Sequence, residues 1–307
     1  MMSSTESLKP SVSADQQLMK HILSAARPKT LPASVSPVIL GLALAWNQTQ
    51  HFDIAVGVIT LLCALLLQIS SNFINDYFDF KSGVDHQQRL GPVRATSAGL
   101  VTPSQMKKAF LFTMSLAFVL GIFLMKTGGT PIIIIGISSL LGAYLYTGGP
   151  FPLSHMALGE VAAFIFFGPV AVWGTTYLQT KQMDMLPAYV GMIPGFFSAA
   201  IMSINNLRDR DSDAQTKKTT VMTLLNEQQS RFLVGVLLLA PVFTGLVLSV
   251  RFDRAYALTF IALITLRPSM MFVLKEKIDQ RLNLHLAMTG KGLFLASLAM
   301  SLGLLFL

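Results

Sequence analysis

The sequence contains little charge and almost no cysteine. Of its 307 residues, 12% are charged, and a single cysteine, Cys63, lies within an apolar run. Ordinary soluble domains carry about 25% charged residues. One cysteine excludes an internal disulfide framework and a cysteine-based metal site. The five histidines show no HxxxH spacing, and no Walker or GxGxxG motif occurs, so neither a histidine metal site nor a nucleotide-binding loop is indicated.

A secretory signal is also not indicated at the start of the sequence. Residues 1–26 are polar and mixed, without a basic stretch followed by an apolar core. We interpret them as a polar cytoplasmic N-terminal tail with a short helix near residues 16–26. The remaining residues, 27–307, are expected to form one membrane domain.

The sequence consists largely of long apolar runs. The chain is 52% hydrophobic, with a mean hydropathy of +0.59. Runs of this length span about 30 Å of hydrocarbon as helices, which predicts an all-α polytopic membrane protein. Nine segments are predicted to cross the membrane, at residues 31–46, 54–74, 109–125, 131–146, 158–178, 186–204, 232–250, 255–272 and 293–307.

The basic residues are distributed unevenly around these segments. With nine crossings, 19 of the 23 Lys and Arg fall on the side of the N-terminus. Because cytoplasmic loops of membrane proteins are rich in Lys and Arg, this side is predicted to be cytoplasmic. The net charge of +8 is thereby explained by topology, and no nucleic-acid partner is required. The other side holds only Lys126, Lys181, Arg251 and Arg254.

Two clusters of acids follow the second and sixth apolar segments. The first reads NFINDYFDFKSGVD, residues 72–85, and the second SINNLRDRDSD, residues 203–213. An aspartate at the centre of a spanning helix costs about 2.5 to 3.5 kcal/mol, so these acids should lie at helix ends, facing protein or a water-filled cavity. Within each cluster Asn and Asp recur at helical spacing. In the first cluster, Asn75 and Asp79 are four residues apart, and Asn72, Asp76 and Asp79 follow the spacing i, i+4, i+7. In the second cluster, Asn205, Asp209 and Asp213 follow the spacing i, i+4, i+8.

Two interpretations of the clusters are open from the residues alone. They could be solvated helix ends, since Asn and Asp are common in caps and Gly83 is typical of a helix C-terminus. That interpretation explains one cluster better than two, and acids do not favour a helix C-terminus. Carboxylates on two facing helices suit Mg²⁺, and nearby cations suit phosphate. The cations are Lys81, Arg89 and Arg94 beside the first cluster, and Arg208, Arg210, Lys217 and Lys218 around the second.

The two clusters together resemble the aspartate-rich motifs of the UbiA superfamily of intramembrane prenyltransferases. The matching stretches are NDYFDFKSGVD at residues 75–85 and NNLRDRDSD at residues 205–213. Three further stretches resemble the branch of that superfamily that acts on 1,4-dihydroxy-2-naphthoate in menaquinone biosynthesis. They are RPKTLP from Arg27, LGPVRATSAGLVT from Leu90 and YTGGPFPLSHMALGE from Tyr146.

The resemblance implies nine helices around a central cavity that opens to the cytoplasm of a bacterial inner membrane. It implies a Mg²⁺-dependent transfer of a polyprenyl group from its diphosphate to the naphthoate, with release of diphosphate and CO₂, and two bridging Mg²⁺. Many relatives have an acid where this chain has Gly83, and Asp85 follows two residues later. The implied metal ligands are Asn75, Asp79, Asp85, Asp209 and Asp213, with Asp76, Asp79, Asp209 and Asp213 as catalytic residues.

The same resemblance and the neighbouring charges suggest the substrate-binding residues. Arg89, Arg94, Arg208 and Lys218 are expected to bind the diphosphate. Arg27, Lys29, Asn205, Tyr144 and Tyr146 are the candidate acceptor-binding residues, although ordinary loop charge and interfacial aromatic anchoring are the competing interpretations. Glu160 begins the fifth segment, where an acid suits a helix N-terminus, and a catalytic role for it is the less favoured interpretation.

Two other classes of membrane protein, and other acceptors within the same superfamily, are alternatives to this function. An ion-coupled secondary transporter also places acids in the membrane, but near its midplane rather than at one face. A structural membrane scaffold leaves the paired clusters unexplained. Within the superfamily, 4-hydroxybenzoate, homogentisate or haem are alternative acceptors. Prenyl chain length and oligomeric state are not indicated by the sequence.

Overall fold

The computed structural model describes residues 14–83, 90–216 and 218–306. The described residues are almost entirely helical and contain no strand beyond an isolated bridge between Met156 and Thr219. This confirms the all-α prediction. The helices are α1 (Ala14–Ala25), α2 (Pro32–Thr49), α3 (Ile54–Ser82), α4 (Pro103–Leu145), α5 (Gly159–Phe166), α6 (Pro169–Thr180), α7 (Leu186–Arg208), α8 (Arg210–Gln215), α9 (Val221–Leu224), α10 (Glu227–Arg251), α11 (Leu263–Lys275) and α12 (Leu282–Phe306). Short 3₁₀ helices cover Pro28–Thr30, Leu153–His155 and Arg254–Ala262.

Seven helical stretches within the described residues are long and apolar enough to cross a membrane. An eighth is added if the bent pair Asp15–Thr30 and Pro32–Thr49, which meet at 54°, forms one span. The bend directly precedes Pro32, the first residue of α2, and Pro37 lies within a continuous α2. The seven stretches are Ile54–Ser82, Pro103–Leu145, Gly159–Thr180, Leu186–Arg208, Glu227–Arg251, Arg254–Lys275 and Leu282–Phe306.

The longest helix, α4, contains a sharp return. Its 43 residues would extend about 64 Å if straight, about twice the hydrocarbon thickness. Gly129 interrupts it with φ 64° and ψ −153°, a conformation that favours glycine. A Cβ atom placed on Gly136 would lie 2.5 Å from Met125 Cε, although the two residues are eleven apart in sequence. The two halves therefore fold back on each other, and they match the separate segments predicted at 109–125 and 131–146.

The last predicted segment begins too late. The sequence placed its start at residue 293, but α12 begins at Leu282. His285, Thr289, Gly290 and Gly292 lower the apolar average of this stretch, yet all four are buried in the helix. They are buried because α12 packs on α2, α7 and α11 rather than facing lipid. Protein contacts thus extend a helix that hydropathy alone had shortened.

Three packed clusters of buried apolar side chains surround the central cavity in the described residues, and the third joins α3, α4 and α6. Of the other two, the larger has α7 at its centre, where Ile193, Phe197 and Ile204 are fully buried against α2, α10 and α12. The smaller joins α1, α3, the loop before α4 and the first half of α4. Within it, Leu18 and Ile22 of α1 pack against the α3 side. The predicted helix near residues 16–26 is therefore present, and it lies against the bundle.

Candidate active site

A cavity of about 320 Å³ lies between helices α2 to α7. It has a polar end at the termini of α3 and α7 and an apolar end between α3, α4 and α6. Both aspartate-rich motifs reach it, because Asn75, Asp79 and Asn205 are part of its wall. Seven of the residues predicted from sequence line it: Arg27, Asn75, Asp79, Arg94, Tyr146, Asn205 and Lys218.

Asp79 sits in the polar wall with a cation already beside it. Its side chain is 6% exposed, and its Oδ2 accepts a hydrogen bond of 2.7 Å from Arg94 Nη2. Arg94 comes from the loop that follows α3. A buried carboxylate requires such a charged partner. The first motif therefore places an acid and a cation together at the cavity.

Asp76 faces a different part of the structure. Its two oxygens accept hydrogen bonds from the backbone N–H groups of Ala95, at 3.1 Å, and Thr96, at 2.9 Å. These residues follow Arg94 directly, so Asp76 holds the loop that carries Arg94. Asp76 itself does not line the cavity. Its catalytic role stays a prediction, while its contacts are those of a residue that positions the loop.

Asn75 presents an oxygen that has no partner among the residues that the structure describes. Its Oδ1 is buried and accepts no hydrogen bond there. An unsatisfied buried acceptor costs free energy. The atom belongs to a side chain of the cavity wall, one helical turn before Asp79. It is therefore well suited to accept a ligand such as a hard metal ion.

The second motif does not form the continuous helical stripe that its spacing predicted. Helix α7 ends at Arg208 and α8 begins at Arg210, with Asp209 between them at φ −94° and ψ 6°. Asp209 does not line the cavity. Instead its two oxygens accept hydrogen bonds from Arg208, from Nε at 2.8 Å and from Nη2. At this break the Asp209 carboxylate pairs with Arg208, whose Nη2 also donates to Asn205 Oδ1.

Arg208 is enclosed by polar side chains. Besides Asp209, it donates from Nη2 to Asn205 Oδ1 at 2.8 Å and from Nη1 to Asn283 Oδ1 at 2.6 Å. Its side chain is 1% exposed. The structure therefore does not bring Arg208 to the cavity, and diphosphate binding by Arg208 stays a prediction.

Asp213 and Lys218 form a further acid–cation pair at the cavity. Asp213 is buried, and Lys218 Nζ lies 3.3 Å from its Oδ1. Lys218 lines the cavity, while Asp213 stands behind it. Burial and the nearby Lys218 charge lower the pKa of His155, in the loop after α4. Among the described residues, the two motifs thus contribute the buried acids Asp79, Asp209 and Asp213, each paired with a cation.

The predicted acceptor-binding residues separate into two groups. Arg27 and Tyr146 line the cavity, and the Tyr146 hydroxyl donates to Met202 Sδ at 3.4 Å. Burial, followed by the Glu160 carboxylate, raises the pKa of Tyr146. Lys29 is exposed, and Tyr144 packs edge-on against Phe78 outside the cavity. Asp85, Arg89 and Lys217 lie outside the described residues.

A polar network holds Arg27 in place. Arg27 has a left-handed backbone at φ 52°, a conformation that costs free energy in a residue with a side chain. Thr30 Oγ1 donates to the Arg27 carbonyl at 2.9 Å. Asn72 Nδ2 donates to the Ala26 carbonyl, also at 2.9 Å. These contacts join the start of α2 to α3 and keep Arg27 at the cavity.

Several polar side chains at the cavity were missed from sequence. Gln68 lies two turns before Asn75 on α3 and lines the cavity, as does Asn72, which the sequence had placed in a stripe with Asp76 and Asp79. The helical spacing of Gln68 from the first motif could have identified it. Asn206 and Ser154 also line it. No local pattern distinguishes these two, because their position depends on how α7 and the loop after α4 pack.

The apolar end of the cavity is built from small and aliphatic side chains. Ala117, Gly121 and Leu124 come from the first half of α4, and Ile135 and Gly136 from the second. A Cβ atom on Gly121 would meet no heavy atom within 4 Å, so space is open there. An elongated apolar group is the ligand that such a chamber accommodates.

The donor set at the polar end fits Mg²⁺ with added ligand oxygens. Within the described ranges, no three His, Cys, Asp or Glu side chains come close enough together to form a complete metal cluster. Mg²⁺ does not need one, since it binds one or two carboxylates and completes its shell with water and phosphate oxygens. Asn75 Oδ1 and the Asp79 carboxylate are oxygen donors of this type. A diphosphate at the cavity would supply further oxygens.

Comparison with known proteins gives a consistent result. Residues 34–303 match the model of the UbiA prenyltransferase family. The chain is 37% identical over 217 residues to a 1,4-dihydroxy-2-naphthoate octaprenyltransferase of Escherichia coli, covering 68% of this chain and 70% of that protein. It is likewise 37% identical over 224 residues to the enzyme of the same description in Mycobacterium tuberculosis, covering 72% and 76%.

The fold is shared with a solved structure from an archaeon. That protein is a UbiA homologue from Archaeoglobus fulgidus, bound to DMAPP and Mg²⁺. The TM-score is 0.59 at 14% identity, and the match covers 93% of this chain and 99% of that one. At this identity the comparison establishes the fold.

Proposed function

Because the chain belongs to the UbiA prenyltransferase family, we propose that it transfers a polyprenyl group from an allylic polyprenyl diphosphate to 1,4-dihydroxy-2-naphthoate. The observation that carries this proposal is the single cavity that joins residues of both acidic motifs to an apolar chamber. A diphosphate head and an isoprenoid tail match its two ends. The relatives in two bacteria are described as enzymes for this acceptor.

Metal binding is assigned to the two motifs. Asn75 and Asp79 would hold Mg²⁺ on the α3 side, and Asp213 and Asp209 on the α7 side, with Asp85 as a further ligand. We propose two ions. The Archaeoglobus fulgidus homologue binds Mg²⁺ together with a prenyl diphosphate, which supports a metal-dependent reaction in this family. When bound, Mg²⁺ supplies electrostatic stabilisation of the negative charge on the leaving diphosphate.

Arg94 and Lys218 are the cations best placed to bind the diphosphate. Both line the cavity, and both already pair with an acid of a motif. Loading of the site replaces each acid–cation pair by contacts with the ligand, so buried charge stays neutralised throughout. Arg89 is proposed as a third cation, from its position in the sequence.

The chain positions the two reactants and excludes water. The C–O bond of the allylic diphosphate breaks, and the prenyl carbon bonds to the ring carbon that carries the carboxylate. Loss of CO₂ from that carbon then restores the aromatic diol. Tyr146 lies at the boundary between the polar and apolar ends, where its ring can stabilise positive charge on the prenyl group. Arg27 is proposed to hold the acceptor carboxylate.

We propose nine membrane crossings, in which α2 is the first span and the two halves of α4 on either side of Gly129 are separate spans. With nine crossings, the uneven distribution of Lys and Arg supports a cavity whose polar end faces the cytoplasm. We therefore propose residues 27–307 as the catalytic domain of a bacterial inner-membrane enzyme, preceded by a cytoplasmic segment.

Turnover with defined substrates tests the proposal. Membranes containing the protein are incubated with a polyprenyl diphosphate, Mg²⁺ and one acceptor at a time. We expect a prenylated, decarboxylated product from 1,4-dihydroxy-2-naphthoate and little from 4-hydroxybenzoate or homogentisate. Preference for another acceptor would overturn the assignment of the substrate. Metal-independent solute uptake by liposomes containing the protein, without prenyl transfer, would instead support a transporter.

A further inference from the structure

Glu160 is a buried acid that neither aspartate-rich motif includes. It begins α5 and is 7% exposed. Its Oε1 accepts a hydrogen bond of 2.8 Å from Nδ2 of Asn206, which is 4% exposed on α7. The contact joins two helices, α5 and α7, that pack directly against each other. Asn206 lines the cavity and Glu160 stands behind it.

The chemistry of the pair determines which way the Asn206 amide points. A carboxylate has only acceptor oxygens, so the amide must turn its NH₂ group toward Glu160. The amide plane then directs Oδ1 away from Glu160. In the described part of the chain, Asn206 makes no other side-chain hydrogen bond. Its oxygen is thus an oriented acceptor without a protein donor.

Asn206 lies in the same part of the cavity wall as Tyr146, a proposed acceptor-binding residue. Met202 is one helical turn before it on α7, and Met202 Sδ accepts the hydrogen bond of the Tyr146 hydroxyl. Tyr146, Met202 and Asn206 therefore form one continuous piece of wall. Asn205, the neighbouring residue, belongs to the second motif. An aromatic ring that meets the prenyl carbon near the motifs would contact this wall.

A role in stability alone does not explain Glu160. An acid at a helix N-terminus interacts favourably with the dipole while remaining in solvent. Here the carboxylate is buried, and its Oε2 has no hydrogen-bond partner within the described residues. Leaving a charged oxygen unsatisfied destabilises the fold. An arrangement of this kind is expected where orientation of a neighbour is required for function.

We propose that Glu160 is a positioning residue that orients Asn206 so that its amide oxygen accepts a hydrogen bond from a ring hydroxyl of the acceptor. This inference rests on the proposed function. The hydrogen bond polarises the O–H group and raises electron density in the ring, which favours attack on the prenyl group. No proton is transferred in this step. The same contact selects acceptors that carry a hydroxyl at that position.

Substrate discrimination by purified full-length protein in detergent tests the inference. Three naphthoates are compared as acceptors and competitive inhibitors: the free diol and its two monomethyl ethers, each with one hydroxyl methylated. We expect the wild-type protein to bind the free diol at least tenfold more tightly than one of the ethers. Glu160→Leu should abolish that discrimination and raise the acceptor KM about tenfold, with the prenyl diphosphate KM unchanged.

Two further variants separate orientation from general packing. Glu160→Gln retains an acceptor oxygen for Asn206 Nδ2, so the discrimination should recover to within about threefold of wild type. Asn206→Asp places a second carboxylate against Glu160, and one of the two must then hold a proton. The acceptor KM of this variant should therefore decrease as the pH is lowered, while that of the wild type does not.

The possible failures are distinguishable. If the wild-type protein prenylates an acceptor but Glu160→Leu keeps the full preference for the free hydroxyl, the role of Glu160 is overturned and the proposed function stands. An equal rise in both KM values with unchanged discrimination also overturns it, since that result shows only structural damage. If the wild-type protein transfers no prenyl group to any acceptor, the proposed function itself fails.

Discussion

Arg94 Nη2 lies 2.7 Å from Asp79 Oδ2, and neither side chain is more than 7% exposed. Sequence assigned these two residues to different ligands, a metal ion and a diphosphate. In the structure each is the counter-ion of the other. In the complex that we propose, a metal diphosphate would replace this ion pair by contacts of each residue with the ligand, so that both buried charges keep a counter-charge.

Replacement of Asp79 should remove most of the activity. Asp79→Asn removes a carboxylate that we assign to the metal, and we expect turnover to fall by about 100-fold or more. Product formation from a polyprenyl diphosphate and 1,4-dihydroxy-2-naphthoate is measured in membranes with matched amounts of inserted protein. Asp253→Asn is the control, and it should keep its activity. Asp253 caps the N-terminus of the helix Arg254–Ala262, and asparagine can cap a helix in the same way. Full activity in Asp79→Asn would disprove the metal assignment.

Ligand-linked stability provides a readout that does not depend on turnover. A non-hydrolysable prenyl diphosphate analogue should raise the Tm of the wild-type protein only when Mg²⁺ is present. Saturation at about 100 times Kd corresponds to about 2.7 kcal/mol of stabilisation. Chelation of Mg²⁺ with EDTA should reverse the shift, and Asp79→Asn should abolish it. A shift of equal size without Mg²⁺ would show that the cations alone hold the diphosphate.

Asp76 should behave differently from Asp79. In Asp76→Asn the amide keeps one acceptor oxygen, so one of the two buried N–H groups of Ala95 and Thr96 loses its partner. We expect a loss of about 2 kcal/mol in unfolding free energy and a higher KM for the prenyl diphosphate, because Arg94 is displaced. Thermal unfolding in detergent and steady-state kinetics measure both. A stable variant without turnover would instead support a direct catalytic role.

Gly121 should limit the length of the prenyl tail. Gly121→Phe places a ring in open space at the apolar end of the cavity. The variant should keep its activity with geranyl diphosphate and lose at least tenfold with an octaprenyl diphosphate. Leu116→Phe, on the exposed side of the same helix, is the matched control. Equal losses with both diphosphates would show that the tail does not pass Gly121.

His155 should make the protein less stable at low pH. Burial and the Lys218 charge lower its pKa from the ordinary value of 6.5. The unfolded chain therefore takes up a proton at a higher pH than the folded protein does, so stability decreases as the pH falls below about 6.5. The difference in Tm between pH 8 and pH 5 should be smaller in His155→Gln than in the wild type. An identical pH dependence in the two proteins would contradict this assignment.

Much of the site could be predicted from spacing within one helix. The i, i+4 relation of Asn75 and Asp79 correctly placed both in one cavity wall, and the different face of Asp76 was visible in the same spacing. Arg94 and Lys218 were predicted because cations near paired acids are expected where phosphate binds. Both line the cavity, and their binding of phosphate stays a prediction.

The second motif shows where such inference ends. Its stripe of Asn205, Asp209 and Asp213 assumed a continuous helix, but the break at Asp209 turns that carboxylate toward Arg208. The break is accompanied by a long-range contact, in which Asn283 accepts from Arg208 and donates to the Leu90 carbonyl. Residues about 75 and 190 positions apart meet there. No single-sequence pattern contains that pairing.

The return at Gly129 has a consequence for how the protein enters its membrane. Because a single residue with non-helical backbone joins the two halves of α4, very little polar backbone has to be translocated with the connection. Lys126 is the only charged residue between Ala109 and Tyr146. The two halves can therefore partition into the bilayer together as a helical hairpin. Insertion of the first half of α4 into the bilayer would then bring the second half in with it.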